Sequence, residues 1–277
     1  FGGLPLSDDG GTAGGRALSA LVRFRHQTRV FDVSKPWLNR VIERLPKALL
    51  TAVSDVTFDI TERQVYALVG ESGSGKSTIG KMVVGLLPPS DGDVEIEGVN
   101  LASEADTARV AETRSRIQMI FQARALASEP RLIVCDEPTS ALDVSVQAQV
   151  LNLMSDLQEK LGLTYLFITH DLAVVQHMAD RIGVLYLGRL VEEAAAEELF
   201  AMPRHPYTQM LFDAAPRMDA FGREVDPPKG EIPDPITPPT GCAFHPRCPI
   251  AVDRCLEERP ELRAVGPARV ACHLADA

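Results

Sequence analysis

Apolar and polar positions follow two rhythms along this chain. Short, nearly unbroken apolar runs recur at Val65–Val69, Arg116–Phe121, Leu132–Cys135, Thr164–Thr169 and Ile182–Tyr186. Runs of this length, rich in β-branched residues, predict strands buried on both faces, the habit of a parallel sheet. Between them the spacing turns helical. VSVQAQVLNLMSDLQEK, from Val144 to Lys160, sets Val146, Val150, Leu153, Met154 and Leu157 on one stripe, so an amphipathic helix packs there on a core. A second helix is expected from Lys76 to about Leu87, stopped by Pro88 and Pro89. DGDVEIEG reads as one arm of a short antiparallel hairpin. The alternation predicts an α/β domain with a mostly parallel core sheet and a smaller antiparallel β subdomain.

The pattern fails at both ends. Residues 1–17 are glycine-rich and begin without an initiator methionine. They read as a flexible linker, and a fragment or half of a fusion is expected. The patterned body covers 18–200. Beyond it, in 201–277, VDPPKGEIPDPITPPTG carries six prolines in seventeen residues, which excludes regular helix and central strand. No internal repeat is present.

Composition narrows the class. A chain of 277 residues with 45% hydrophobic content suits a soluble globular fold. The net charge of −10 argues against nucleic acid as a partner, which wants a basic face. No apolar run approaches the length of a membrane-spanning helix. Of five cysteines, Cys135 stands alone in an apolar run and reads as a small buried hydrophobe. Cys242, Cys248, Cys255 and Cys272 crowd the C-terminal region.

Two motifs carry chemistry. GESGSGKST at Gly70–Thr78 fits G-x-x-x-x-G-K-[ST], with a strand before it and a helix after it. Gly70, Gly73 and Gly75, with Ser72 and Ser74, let the backbone curl so that its N–H groups face phosphate oxygens. Lys76 reaches the terminal phosphates, the Ser77 hydroxyl ligates Mg²⁺, and Thr78 closes the motif. LIVCDEP at Leu132–Pro138 supplies the partner. Its strand delivers Asp136 to the magnesium, and Glu137 beside it can polarise an attacking water as general base. The ligand expected from these residues is a magnesium-bound nucleotide, which the resemblance below implies is ATP.

With these residues in place the chain resembles an ATP-binding-cassette (ABC) transporter ATPase subunit, a P-loop NTPase domain. SALD at Ser140–Asp143 is similar to the family's D-loop, which implies that Asp143 faces a partner subunit. ITHD at Ile168–Asp171 is similar to its histidine switch, with His170 on the γ-phosphate. Gln122 matches the Q-loop glutamine, which senses Mg²⁺ and touches membrane subunits. The aromatic that stacks on adenine is assigned to Phe31, with Trp37 as the alternative. EELFAMPRHPYTQMLFDAAP and GCAFHPRCPIAVDRC resemble the C-terminal extension of oligopeptide and dipeptide importers; nickel importers of that group stay in contention.

The tail cysteines are spaced C-x5-C-x6-C-x16-C, unlike the paired C-x2-C of most zinc ribbons. Four thiolates suit a [4Fe–4S] cluster or Zn²⁺. The resemblance implies a structural iron–sulfur cluster, Cys248-Pro249 resembles the Cys-Pro step of ferredoxin ligands, and zinc is the alternative. His245 and His273 are spare ligands. A segment so poor in apolar residues is expected to take its folding energy from the metal centre.

One stretch does not fit. IQMIFQARALASEPRL joins the Q-loop strand directly to what resembles the end of the family's signature helix, and no LSGGQ-type signature occurs. A parallel connection usually needs a dozen residues or more, with a helix; only nine, Ala123–Arg131, are available. The helical signature subdomain is expected to be missing, with residues lost between 122 and 123. What the resemblance implies overall is an ATPase subunit of a peptide importer, peripheral at the cytoplasmic face of the membrane. It would pair with a second nucleotide-binding domain and two transmembrane permease subunits, and indirectly with an extracytoplasmic peptide-binding protein. A nickel or other small-solute importer ATPase, or a non-hydrolysing nucleotide-binding module, is the alternative.

Overall fold

Two sheets organise the chain. The structure, a computed structural model, describes residues 19–36, 39–40, 46–103, 106–120, 130–140, 142–214 and 230–275. The smaller sheet is antiparallel throughout, with β1 (Ala20–Asp32), β2 (Leu49–Thr61), β4 (Asp91–Ile96) and β5 (Val99–Asn100) in the order β2-β1-β4-β5. The larger sheet holds β3 (Val65–Val69), β6 (Ile117–Ile120), β7 (Leu132–Asp136), β8 (Thr164–Ile168), β9 (Arg181–Tyr186), β10 (Arg189–Ala195), β11 (Arg263–Val265) and β12 (Ala268–Val270). Its order is β11-β12-β10-β9-β3-β8-β7-β6, parallel from β9 to β6 and antiparallel from β10 outward.

Alternation along β3 explains how the larger sheet is sandwiched. Val65, Ala67 and Val69 face one core and Tyr66 and Leu68 the other, all essentially without solvent contact. The second core is closed by the antiparallel sheet and by α1 (Lys76–Val83), through Ile79, Met82 and Val83. On the opposite face lie α3 (Val144–Leu161), α4 (Leu172–Met178), α5 (Ala196–Ala201) and α6 (Pro206–Asp213). Helix α2 (Thr107–Ser115) precedes β6.

Three features depart from the sequence pattern. Helix α1 ends at Val83 and not near Leu87. Gly85 adopts φ 73°, and the N–H groups of Leu86 and Leu87 turn back to the Lys81 carbonyl, so a left-handed cap stops the helix before the prolines act. Strands β1 and β2 run thirteen residues each, yet their register breaks near His26 and Asp55, both at positive φ. These bulges interrupt the two-residue alternation that would have announced them. Finally, the cysteine-rich segment builds no core of its own. Phe244, Val265, Ala268, Val270 and Ala275 pack into the first core, and β12 pairs with β10. The proline-rich stretch leading to it is irregular over its described part, 230–241. Among the described residues no helix is long and apolar enough to cross a membrane.

Candidate active site

The carboxyl ends of three neighbouring parallel strands, β3, β8 and β7, meet at one edge of the larger sheet. Ligands of open α/β sheets bind outside such ends. Strand β3 runs into the glycine loop, β7 ends on Asp136 with Glu137 following, and β8 leads to His170.

The loop needs its glycines. Gly75 sits at φ 102°, and a Cβ on it would lie 2.3 Å from the Ala52 carbonyl oxygen. No other residue fits where the loop passes the antiparallel sheet and enters α1, whose first N–H groups point outward. The Lys76 ammonium donates to the carbonyls of Gly70 (2.8 Å) and Glu71 (2.9 Å) and to Ser74 Oγ (3.3 Å), lying across the loop. Burial pulls its pKa down, while Glu137, Asp136 and Glu71 act against that shift.

The expected magnesium ligands touch: Ser77 Oγ donates to Asp136 Oδ1 at 3.0 Å. Glu137 sits at φ 49°, a left-handed conformation that strains a non-glycine residue. Its N–H donates to the Ile168 carbonyl at 2.8 Å, which anchors it to β8. His170 Nδ1 is 3.0 Å from Glu137 Oε1, and both side chains face solvent, 64% and 43% exposed. Asp136, Glu137, Ser77, Lys76 and His170 therefore form one cluster. Asp143 is exposed at the start of α3 and makes no capping bond with its side chain. Ser72 is exposed on the loop and Thr78 half-buried in α1.

Phe31 lies in β1 opposite Leu50, with the Arg29 guanidinium 4.8 Å from its ring centroid. Gln122 and Trp37 lie outside the described residues.

All four tail cysteines line one small pocket of about 10 Å³, and their sulfurs lie within one another's field. Burial first, then mutual repulsion, raises the Cys242 and Cys248 thiols. A cationic centre is what would relieve both effects. Among the described residues, however, no group of three or more His, Cys, Asp or Glu is arranged to hold a metal ion. The spare-ligand reading of the histidines also weakens. One nitrogen of His245 bonds the Cys242 carbonyl at 2.9 Å, and one of His273 bonds the Glu258 carbonyl at 2.9 Å. Cys135 is fully buried and its thiol is pushed well up by that burial, as suits an inert core residue.

Three residues at this site escaped the motif reading: Glu71, Tyr207 and Arg247. Tyr207 Oη accepts the Glu71 N–H at 2.9 Å, and Arg247 meets the Glu71 carboxylate. The signals were HPYT, which marks a helix start with His205 as cap and Pro206 in the first turn, and the acidic residue inside a phosphate-type loop. His205 Nδ1 accepts the Tyr207 N–H at 3.0 Å, while Glu192 accepts the N–H groups of Arg204 and His205.

The chain is similar to known proteins over two stretches. Residues 53–124 match the ABC transporter family model, and 191–255 match the oligopeptide/dipeptide transporter C-terminal region. A probable peptide ABC transporter ATP-binding protein of Sinorhizobium fredii is 36% identical, over 92% of this chain and 90% of the relative. The chain belongs to the ABC transporter ATP-binding proteins. Other ABC relatives include a putative peptide import ATP-binding protein of Brucella ovis, 40% identical over 79% of this chain and 90% of its own length. The oligopeptide transport ATP-binding protein AppF of Bacillus subtilis is 36% identical, over 80% and 89%. The ABC cassette fold is seen again in the dimeric MJ0796 cassette bound to ADP and phosphate, at 20% identity and a TM-score of 0.53, covering 63% of this chain and 98% of that one. The Sinorhizobium alignment spans 323 positions, more than the 277 residues of this ABC chain, so the relative carries residues with no counterpart here.

Proposed function

We propose that this ABC ATPase energises the import of oligopeptides or dipeptides. The observation that carries the reading is the pairing of two contacts at the strand ends, Ser77 with Asp136 and His170 with Glu137, beside a lysine-bearing glycine loop. In this reading the loop N–H groups and Lys76 bind the phosphates, and Ser77 and Asp136 hold Mg²⁺, which supplies charge neutralisation at the phosphates. Glu137 takes a proton from the attacking water as general base, and His170 orients Glu137 and meets the γ-phosphate. Gln122 would be a further ligand for Mg²⁺, Asp143 would face a second nucleotide-binding domain, and Phe31 would stack on adenine. Peptide cargo is supported by the names of the relatives and by the matched C-terminal region. Two permease subunits then carry the peptide, delivered by an extracytoplasmic binding protein, and the ATPase sits peripherally at the cytoplasmic face of the membrane.

For the four tail cysteines the reading is a cluster and not a single ion. Each thiolate of a [4Fe–4S] cluster takes a different iron, so the set need not converge on one point, whereas zinc requires it. The Cys242, Cys248, Cys255 and Cys272 thiols would hold it in a structural role.

A second reading, a nucleotide-binding module that does not turn over ATP alone, is favoured by the junction after Gln122. The ABC family match ends at residue 124, and the alignment above leaves relatives' residues unmatched. Strands β6 and β7 are adjacent and parallel, and residues 121–131 join them in the sequence; 121–129 lie outside the described residues. Eleven residues reach roughly 35 Å, ample for a four-residue strand. Reach is therefore not the obstacle; the reading rests instead on the lack of an LSGGQ-type motif in the sequence.

The deciding experiment is Mg²⁺-dependent ATP hydrolysis by the chain reconstituted with permeases. Glu137→Gln should cut turnover by about 10²-fold or more while leaving nucleotide binding intact. Equal turnover in the two proteins would remove Glu137 from the chemistry; no turnover in either would favour the second reading.

A further inference from the structure

Glu71 raises a charge problem. It is the second residue of GESGSGKST, its carbonyl accepts from Lys76, and its carboxylate is among those whose field reaches that ammonium. A loop that gathers N–H groups and a lysine around phosphates gains nothing from a carboxylate of its own. The fold answers from the far end of the chain. Arg247 Nη1 donates to Glu71 Oε2 at 2.7 Å, and Nη2 donates to Oε1 at 2.9 Å. The guanidinium is only 2% exposed, against 20% for the carboxylate, and its carbon lies 5.9 Å from the ring centroids of both Tyr186 and Phe244. The pair is thus a two-pronged, charge-assisted contact held largely out of water. Tyr207 secures the same residue by its backbone.

We propose that Arg247 and Tyr207 are positioning residues for the nucleotide: they brace the phosphate loop through Glu71 and cancel its charge. The C-terminal extension thereby sets how tightly the site holds a polyphosphate. The proposal rests on the reading of Gly70–Thr78 as the nucleotide loop. Arg247 itself is fixed by a single 3₁₀ turn, His245–Arg247, strung between Cys242 and Cys248. The Arg247 N–H donates to the Phe244 carbonyl at 3.0 Å and the Cys248 N–H to that of His245 at 3.2 Å. The backbone that aims the guanidinium is the backbone that carries two of the four pocket thiols.

The test is the affinity of the full chain for ribose-labelled fluorescent ADP with Mg²⁺. Arg247→Met should weaken binding roughly tenfold, because it leaves a carboxylate beside the phosphates and frees the loop. Adding Glu71→Gln removes that carboxylate, and Glu71→Gln/Arg247→Met should recover to within about threefold of the wild-type affinity. A purely structural role would give no such rescue. If Arg247→Met does not fold, Arg247→Lys keeps the charge and loses the fork, and a loss of about threefold, relieved by Glu71→Gln, is expected. A folded Arg247→Met protein with wild-type affinity would overturn the proposal, as would an equal loss with and without Glu71→Gln. Should wild type and Lys76→Ala bind the labelled ADP equally poorly, the nucleotide reading of the loop fails and takes the brace with it.

Discussion

At the scale of single residues, the site is built from side chains that the environment has set in advance. Glu137 is held at an unfavourable backbone angle by its bond to β8, and its carboxylate lies 3.0 Å from His170 Nδ1. His205 shows the same economy for a structural purpose. Complete burial holds its imidazole at about 4, below the 6.5 of a free one, with a backbone bond to Ala271 pulling weakly the other way. Its neutral ring can then accept the Tyr207 N–H and cap α6. Between pH 6.5 and 4 the unfolded chain takes up a proton that the folded chain refuses. Stability is therefore full above about pH 6.5 and declines as the pH falls toward 4, by on the order of 3 kcal/mol from this residue. His205→Asn keeps a capping side chain that does not titrate. Thermal midpoints of that variant between pH 7 and 4.5 should fall less steeply than the wild type's; parallel slopes would show that His205 is not the group responsible.

At the scale of elements, the cysteine extension is structural masonry for the whole cassette. Strand β12 lines the edge of β10, Arg269 joins Arg181 on the buried Glu193, and Phe244 fills a nest of Tyr186, Tyr207 and His205 rings. Phe244→Ala should lower unfolding free energy by about 3–5 kcal/mol. Far-ultraviolet circular dichroism in denaturant should show one shifted transition, whereas an early, separate step would mean that the extension folds independently. How legible these elements were follows from their chemistry. The five parallel strands announced themselves because both of their faces are apolar, and the phosphate loop because its glycines sit at required positions. Strand β10 stayed hidden because RLVEEAA reads as half charged, and only the fold reveals that Arg181, Arg269 and two backbone amides satisfy those glutamates. Strands β1 and β2 were masked by their bulges. Arg247 and Glu71 lie 176 positions apart, and no local pattern can announce such a pair.

At the scale of the molecule, the decisive feature is the junction after Gln122. In the proposed reading, Lys76, Ser77 and Asp136 assemble within this chain the half of an ABC site that binds Mg-ATP. In the same reading, the half that closes a partner's site belongs to a signature segment among the residues that the Sinorhizobium relative carries in excess of this sequence. Grafting that segment from the 40%-identical Brucella relative between Gln122 and Ala123 should produce a protein that dimerises on ATP when Glu137 is changed to Gln. Light scattering with and without Mg-ATP would report it. If the ungrafted Glu137→Gln chain dimerises equally well, the segment is dispensable for closure.

The contact between Glu71 and Arg247 also orders events in time. The phosphate loop emerges from the ribosome early, and its anchor emerges 176 residues later. The edge of β10 waits equally for β12, at Ala268–Val270. A chain cut short between Asp171 and Arg247 carries the phosphate loop, Asp136, Glu137 and His170 but lacks the guanidinium that meets Glu71. Such a copy would leave the Glu71 carboxylate without its Arg247 partner in the field of Lys76.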